Sequence, residues 1–298
     1  MTGNGTIADP YIITTAAELY SMGETGSADT CFALGCDIDL NGTPMADSFT
    51  PITLRCGSLD GRGHTIRNIV KKLIGGTAYI FTVHEDCEAV EISGLRLDNV
   101  RLTASNVNIF SGTAAVTLRS CSFAVRAVFA ATPTADIYFF GGVTVNAELC
   151  SFAFDIKWVQ QKGIMLGGSL DRCQLRLNLQ ADTLYSSTGS AVSGFRSVTI
   201  TDTYFMGKIT TSASSKIFVM LAVCTLCNSY FVFTSDGTAN ITATTSNRLL
   251  TPCFFDSSVR GSGTLTFYNF KSLTTEQCQD AEYLRSIGFD CGGGGSGT

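Results

Sequence analysis

Leu118-Arg119-Ser120-Cys121-Ser122-Phe123-Ala124-Val125-Arg126-Ala127-Val128 decides how the rest of the chain is read. Apolar and small or charged residues alternate here with period two, the pattern of a strand with one buried face. A small residue, Cys121, stands two places before a large apolar one, Phe123, and the pair returns along the chain. The instances are Ser93/Leu95, Cys121/Phe123, Cys150/Phe152, Cys173/Leu175, Thr203/Phe205, Ser229/Phe231 and Cys253/Phe255. Successive large residues lie 28, 29, 23, 30, 26 and 24 positions apart. Repeats of that length, with strand periodicity at the anchor, mark a solenoid of short strands. Each coil of chain lays down one rung, and the next stacks on it at about 4.8 Å.

A second landmark precedes most anchors. It is an apolar run ending in small residues: Ile109-Phe110-Ser111-Gly112, Phe139-Phe140-Gly141-Gly142, Met165-Leu166-Gly167-Gly168 and Ala191-Val192-Ser193-Gly194. A buried strand that bends sharply at a corner favours a residue without a Cβ. Each rung therefore reads as strand, glycine corner, strand, turn. The expected fold is all-β: a single-stranded right-handed parallel β-helix with short N- and C-terminal capping helices. The handedness follows from the general preference for right-handed crossovers.

The runs FFGG, LGGS and VSGF alternate with ITDTYFMGKIT, LRSCSFAVRAV and LCNSYFVFTSDG. In that alternation the chain resembles the GLUG-type repeats of bacterial and phage surface β-helix proteins. The opening GTIADPYIITTAAELYSM, with CDIDL, FTPIT and LDGRGHTIRNI, is similar to the N-terminal portion of that group, and LTTEQCQDAEYLRSIGFD to its closing segment. The resemblance is one of architecture. It implies an adhesin, a carbohydrate-facing surface module or a tail-associated part.

With 298 residues, 45% of them apolar, the chain can bury a substantial core, and no Pro- or charge-rich linker divides it. The expected organisation is an N-terminal cap over 1–30, a β-helix over 31–267, a helical cap over 268–291 and a Gly-rich tail over 292–298. In the first cap Thr15 and Glu18 form a capping box that starts a helix over Ala16 to Met22. In the second, Thr274 and Gln277 form another, starting an amphipathic helix over Glu276 to Ile287 whose apolar side closes the open end. A net charge of −5 carries no electrostatic footprint for nucleic acid. No run approaches the roughly 20 apolar residues of a membrane span. Met1-Thr2-Gly3-Asn4-Gly5 shows no basic flank or apolar core of a secretory signal. The expectation is signal-less synthesis in the cytoplasm followed by an extracellular or virion-surface location. Four of the twelve cysteines, Cys121, Cys150, Cys173 and Cys253, share the small-residue slot with Ser93, Thr203 and Ser229. They read as a buried ladder of thiols, since parallel side chains are poorly aimed for disulfides.

The residues three places after each anchor point outward and, down the stack, give Asp98, Arg126, Asp155, Asn178, Lys208 and Thr234. Five places on stand Val100, Val128, Lys157, Gln180, Thr210 and Asp236. The first file is polar throughout and alternates in sign at its start. It admits two readings. Asp98 and Asp155, two rungs and roughly 9.6 Å apart with Arg126 between them, suit an inverting glycosidase, whose carboxyls stand about 6.5–9.5 Å apart. Alternatively, the three form a cross-rung ion ladder.

Other chemistry finds little material. The Asn-Thr-Asp, Asp-Asp and Gly-His-Gly set of polygalacturonase-like β-helices is missing, and only His64 and His84 are present. Glu85, Asp86 and Glu88 with His84 and Cys87 read as a solvated loop. Cys224-Thr225-Leu226-Cys227 is a lone C-x-x-C without a second ligand pair. No cofactor or metal is expected. Trp158 points inward by strict alternation. The reading is a non-catalytic binding module in which Asp155, Lys157, Asn178, Lys208 and Tyr138 contact a cell-surface glycan or a virion or surface protein. The alternatives are a tailspike-type polysaccharide hydrolase or lyase using Asp98, Asp155 and Arg126, and a structural subunit of a trimer or fibre.

Overall fold

The computed structural model describes residues 1–41, 50–73, 76–129, 138–140, 143–158, 163–181, 193–211, 217–236, 240–243, 248–249, 253–256, 264–266, 271–274, 276–277 and 280–287. The chain coils around a three-sided apolar core. One side, here sheet A, is ten-stranded and runs from Tyr11–Ile13 to Arg248–Leu249. A second, sheet B, is eleven-stranded and runs from Ile38–Asp39 to Lys271–Leu273. The third side begins as a three-stranded sheet over Ile52–Leu54, Thr77–Val83 and Asn106–Ser111. It continues as a six-stranded sheet from Tyr138–Phe140 to Thr264–Thr266. The ladders between these strands are parallel, as in 122–128 on 151–157. The fold is a parallel β-solenoid.

The anchors face inward as one apolar file, with Phe123, Phe152, Leu175, Phe205 and Phe231 each at most 1% exposed. Aromatic rings stack from rung to rung, Phe205 on Phe231 at 4.6 Å between centroids and Phe81 on Phe110 at 5.4 Å. Between sheets A and B the chain turns at a single residue in the left-handed region: Gly94, Ser120, Leu149, Arg172, Asp202 and Asn228, with φ between 44° and 58°. Each non-glycine there is strained by roughly 1–2 kcal/mol. A backbone bond to the following coil offsets part of it: Ser120 N–H donates to Glu148 O, Leu149 N–H to Asp171 O and Arg172 N–H to Thr201 O, each at 3.0 Å.

That corner file corrects the first anchor. Leu97, not Leu95, pairs with Phe123, and Ser93 pairs with Arg119. Leu95 therefore occupies the slot that Cys121 fills one coil later. A second correction concerns Gly194, which lies inside the strand Ser193–Arg196; the turn falls at Ser197, φ 56°. Gly112 and the Gly167-Gly168 pair do stand at corners with positive φ, while Gly141 and Gly142 lie outside the described residues.

The slot residues do more than fit. Immediately after the left-handed corner, the slot N–H faces away from a strand ladder and needs an acceptor. The side chain of the next coil's slot supplies it: Cys121 N–H donates to Cys150 Sγ at 3.4 Å, Cys173 N–H to Thr203 Oγ1 and Thr203 N–H to Ser229 Oγ, both at 3.3 Å. In turn Cys150 S–H donates to Glu148 O at 3.2 Å and Thr203 O–H to Thr201 O at 2.7 Å. The ten described cysteines are free thiols. Hydrogen bonding to Cys150, then burial, pushes the Cys121 and Cys173 thiols upward, and burial raises Cys56 to about 12 and Cys253 to about 11. Cys150→Ser, which keeps a γ donor and acceptor, should shift stability by less than about 1 kcal/mol. Cys150→Ala orphans the buried Cys121 N–H and should cost about 1–3 kcal/mol. Urea midpoints of the two variants measure the difference, and equal midpoints would reduce the slot to a matter of size.

Helix α1 (Ala16–Thr25) lies against the Ile52–Leu54 strand and buries Leu19 and Met22 in the solenoid core. Thr15 caps it, accepting from Glu18 N–H at 3.2 Å, while Glu18 Oε2 accepts from Thr14 N–H at 2.8 Å. The N-terminal amine, then the Thr14 N–H, hold the Glu18 carboxyl down at about 2. A carboxyl depressed in the folded state adds stability above its ordinary value of about 4.5, lost as pH falls toward 2. Acid titration of folding should show that loss in the native chain and not in Glu18→Gln.

Of the helix expected over 276–287, residues 276–277 are helical and a further helix, α2 (Ala281–Ser286), follows after Asp280. Thr274 and Gln277 do form their reciprocal box, but Asp280 then caps a separate turn, accepting from Glu282 and Tyr283 N–H at 2.9 Å. Leu284 packs with Tyr230 and Leu273 and beside Tyr204, Val232 and Ile287. Tyr230 and Val232 flank the inward Phe231, so α2 sits on the outer face of sheet B. Cys278 and the Gly-rich tail lie outside the described residues.

Candidate functional site

Sheet B carries its outward side chains at every second position, and parallel register lines them into files about 4.8 Å apart per rung. One file reads Arg101, Arg126, Asp155, Asn178, Lys208 and Thr234. Its neighbour reads Thr103, Val128, Lys157, Gln180, Thr210 and Asp236. The two files line a groove of about 510 Å³, to which Arg126, Asp155, Lys157, Asn178, Gln180 and Lys208 contribute. Four residues expected to contact a ligand, Asp155, Lys157, Asn178 and Lys208, thus share one concavity. Tyr138 opens the Tyr138–Phe140 strand of the third side, pairing with Gly163, and its side chain lies outside the described residues, as does that of Trp158.

Asp98 leaves the file. The misplaced first anchor accounts for two residues, and a bulge between Leu97 and Val100 adds one more. Asn99, φ 49°, turns the chain there and bonds through Nδ2 to Asn68 Oδ1 at 2.5 Å, while Asn68 Nδ2 reaches Asp39 Oδ1 at 2.6 Å. Asp98 is thereby set opposite Arg67, and Arg101 takes the place expected for it beside Arg126. Two rungs plus two residues of offset put Asp98 and Asp155 roughly 12 Å apart along the sheet, beyond the span of an inverting pair. Asp155 is the one carboxylate among the groove's lining residues. Nor does the Asp98–Arg126–Asp155 ion ladder form. Asp155 Oδ1 accepts from Asn178 Nδ2 at 2.8 Å, and no ion pair joins Arg126 to a described carboxylate.

An ion ladder does exist, at the end of the sheet A strands. Arg119 bridges Glu148 and reaches Glu91 at 3.4 Å; Arg172 bridges the same Glu148 and meets Asp171 at 3.0 Å. Glu91 pairs with Thr117 rather than Arg119, so the cluster is diagonal, a relation that files of anchors do not display. Exposed pairs of this kind add at most about 1 kcal/mol each. Elsewhere, His64 Nδ1 stands 3.4 Å from Asp37, whose carboxyl is held low chiefly by the Thr65 N–H. His84 Nδ1 stands 3.4 Å from Asp86, which Arg55 also engages at 2.6 Å. Cys224 S–H donates to Phe195 O at 3.4 Å within the core. Among the described residues no three His, Cys, Asp or Glu side chains are grouped to hold a metal ion, and no helix is long and apolar enough to cross a membrane.

Coils stacked in parallel register, with a polar groove on the outer face of sheet B, define this molecule as a parallel β-solenoid. Comparison with known proteins agrees on the fold. A solved Bacteroides ovatus protein, described provisionally as an immunoglobulin A1 protease, superposes over 96% of this chain and 89% of its own with a TM-score of 0.50 and 13% identity. Halomucin of Haloquadratum walsbyi (strain DSM 16790 / HBSQ001) is 33% identical over 134 residues, 40% of this chain. The chain spans about 1% of the length of that relative. No family model matches the chain.

Proposed function

We propose that this chain is a non-catalytic binding module that holds a glycan along the groove of sheet B. The observation that carries the reading is the groove itself: polar side chains from four successive rungs, Arg126, Asp155 with Lys157, Asn178 with Gln180, and Lys208, converge on one concavity. An extended row of donors and acceptors, spaced by one rung, suits a linear polymer. A lone carboxylate supports binding over hydrolysis, since the two-carboxylate mechanism lacks its partner there. The resemblance to GLUG-type repeats supports a setting on a cell or virion surface, with the groove facing a host or neighbouring glycan. A glycan array tests the reading. Binding that falls at least tenfold in the Asp155→Ala/Asn178→Ala double variant is expected, with no new reducing ends after prolonged incubation. Release of reducing ends that vanishes in Asp155→Asn would establish the hydrolase instead.

A further inference from the structure

The outer face of sheet B is charged against the sign of the chain. The five strands from Arg96–Ala104 to Tyr204–Thr211 carry six exposed cations, Arg96, Arg101, Arg126, Lys157, Arg176 and Lys208. Against them stand two carboxylates, Asp98 and Asp155, in a chain whose net charge is −5. On sheet A the arginines of the strand ends are neutralised within the fold, Arg119 and Arg172 by Glu91, Glu148 and Asp171. On sheet B, Arg67 near the N-terminal end meets Asp39 at 3.0 Å, but on the rungs that follow Arg101, Arg126 and Lys157 join no ion pair with a described residue. Arg101 and Arg126 are moreover direct neighbours across the ladder, and like charges so placed repel. Asp155, next in the file, offsets part of that repulsion at Arg126, whereas the other ladder neighbour of Arg101 is Val70. An anion between the two arginines would relieve the rest.

We infer that the ligand of this groove is an acidic polysaccharide, its carboxylate or sulfate groups held by Arg126 and Lys157 of the lining and by Arg101, one rung before the lining in the file of Arg126; the inference rests on the glycan-binding reading above. Guanidinium groups meet carboxylate and sulfate oxygens in paired, charge-assisted hydrogen bonds, and two arginines on adjacent rungs form a clamp for one such group. Lys157 stands one rung on from Arg126 and two residues along from Asp155, where a second acidic group of the same polymer would reach it. Asp155, bonded to Asn178, remains to accept from sugar hydroxyls between the acidic groups. A neutral glycan would leave the Arg101–Arg126 repulsion unrelieved.

The test is binding of the full chain, by calorimetry and by thermal shift, to dextran sulfate, polygalacturonate, unmodified dextran and a single-stranded oligothymidylate. Binding to dextran sulfate or polygalacturonate is expected, with dextran at least tenfold weaker; the stronger of the two acidic polymers identifies the acidic group. Arg101→Gln/Arg126→Gln should weaken acidic-polymer binding about tenfold or more while raising the melting temperature of the free protein. Arg119→Gln/Arg172→Gln, on sheet A, should leave binding unchanged. Dextran bound as tightly as its sulfate would overturn the inference and leave glycan binding standing; binding to none of the four would overturn both. Oligothymidylate bound as tightly as the acidic sugars, and lost with the same arginines, would overturn it in favour of a general polyanion surface.

Discussion

Phe152→Ala is expected to destabilise the solenoid by about 3–5 kcal/mol, among the largest effects of any single side-chain truncation in this chain. Phe152 is 1% exposed and meets three rings, Phe140 at 5.4 Å, Phe154 at 5.5 Å and Phe123 at 5.8 Å between centroids. Its removal leaves a void bounded on two sides of the coil as well as by the rung below. Stacked rungs fix the backbone, so collapse around the void is limited. Phe152→Leu should cost far less, about 1.5 kcal/mol or under, because Leu97 and Leu175 already occupy the same file. Urea unfolding followed by circular dichroism gives both values. A lowered slope in the Ala variant would show coils on either side of Phe152 melting separately, as expected when nearest-neighbour coupling is cut. A loss below 1 kcal/mol would mean that the aromatic cluster is loosely packed.

Gly168→Ala should cost about 2–4 kcal/mol, combining left-handed strain with a backbone collision. Gly168 has φ +85°, and a Cβ there would lie 2.0 Å from Val145 O. That carbonyl belongs to the preceding coil of sheet A, so relief requires moving one rung away from another. Gly167, its neighbour at φ +73°, faces open space within 4 Å. Gly167→Ala therefore isolates the strain alone, roughly 1 kcal/mol, and the equivalent corners are held by Ser197 and Val223, both at φ 56°. Paired measurements on the two glycines separate conformation from contact. Equal losses would show that the close approach of Gly168 to Val145 is readily relieved.

The stacking of coils was legible because apolar anchors recur with a small residue two places before, a constraint set by the core and therefore written in residue type. What the anchors do not record is register at irregular places. Leu95 and Leu97 are both buried leucines in alternation, and nothing in their chemistry says which is Phe123's counterpart. Asn99 in the left-handed region is the clue to the bulge, yet Asn in a strand also reads as an ordinary polar position. This is why Asp98 was expected in a file where Arg101 stands. The groove residues from Arg126 onward were placed because four consecutive strands keep unbroken register. The slot's second role had a signal of its own: Cys, Thr and Ser occur there but never Ala, so each side chain from Cys121 onward carries a γ atom able to donate and accept. The C-terminal helix was legible but not the surface it covers, because α2 buries Leu284 on Tyr230 and Leu273, outward residues of sheet B whose cover could not be inferred from alternation.

Coil length in this molecule is unequal in one place above all. The connections from sheet B to the third side run over 130–137, 159–162, 182–192, 212–216 and 237–239, whereas from Gly94 to Asn228 each described corner between sheets A and B turns on one left-handed residue. Every one of those variable connections leaves the sheet just past the file of Val128, Lys157, Gln180 and Thr210 that forms one wall of the groove. Connections of different length thus join strands that keep one register beside the groove. A lineage of such chains would be free to trade linker segments there, with the scaffold inherited whole.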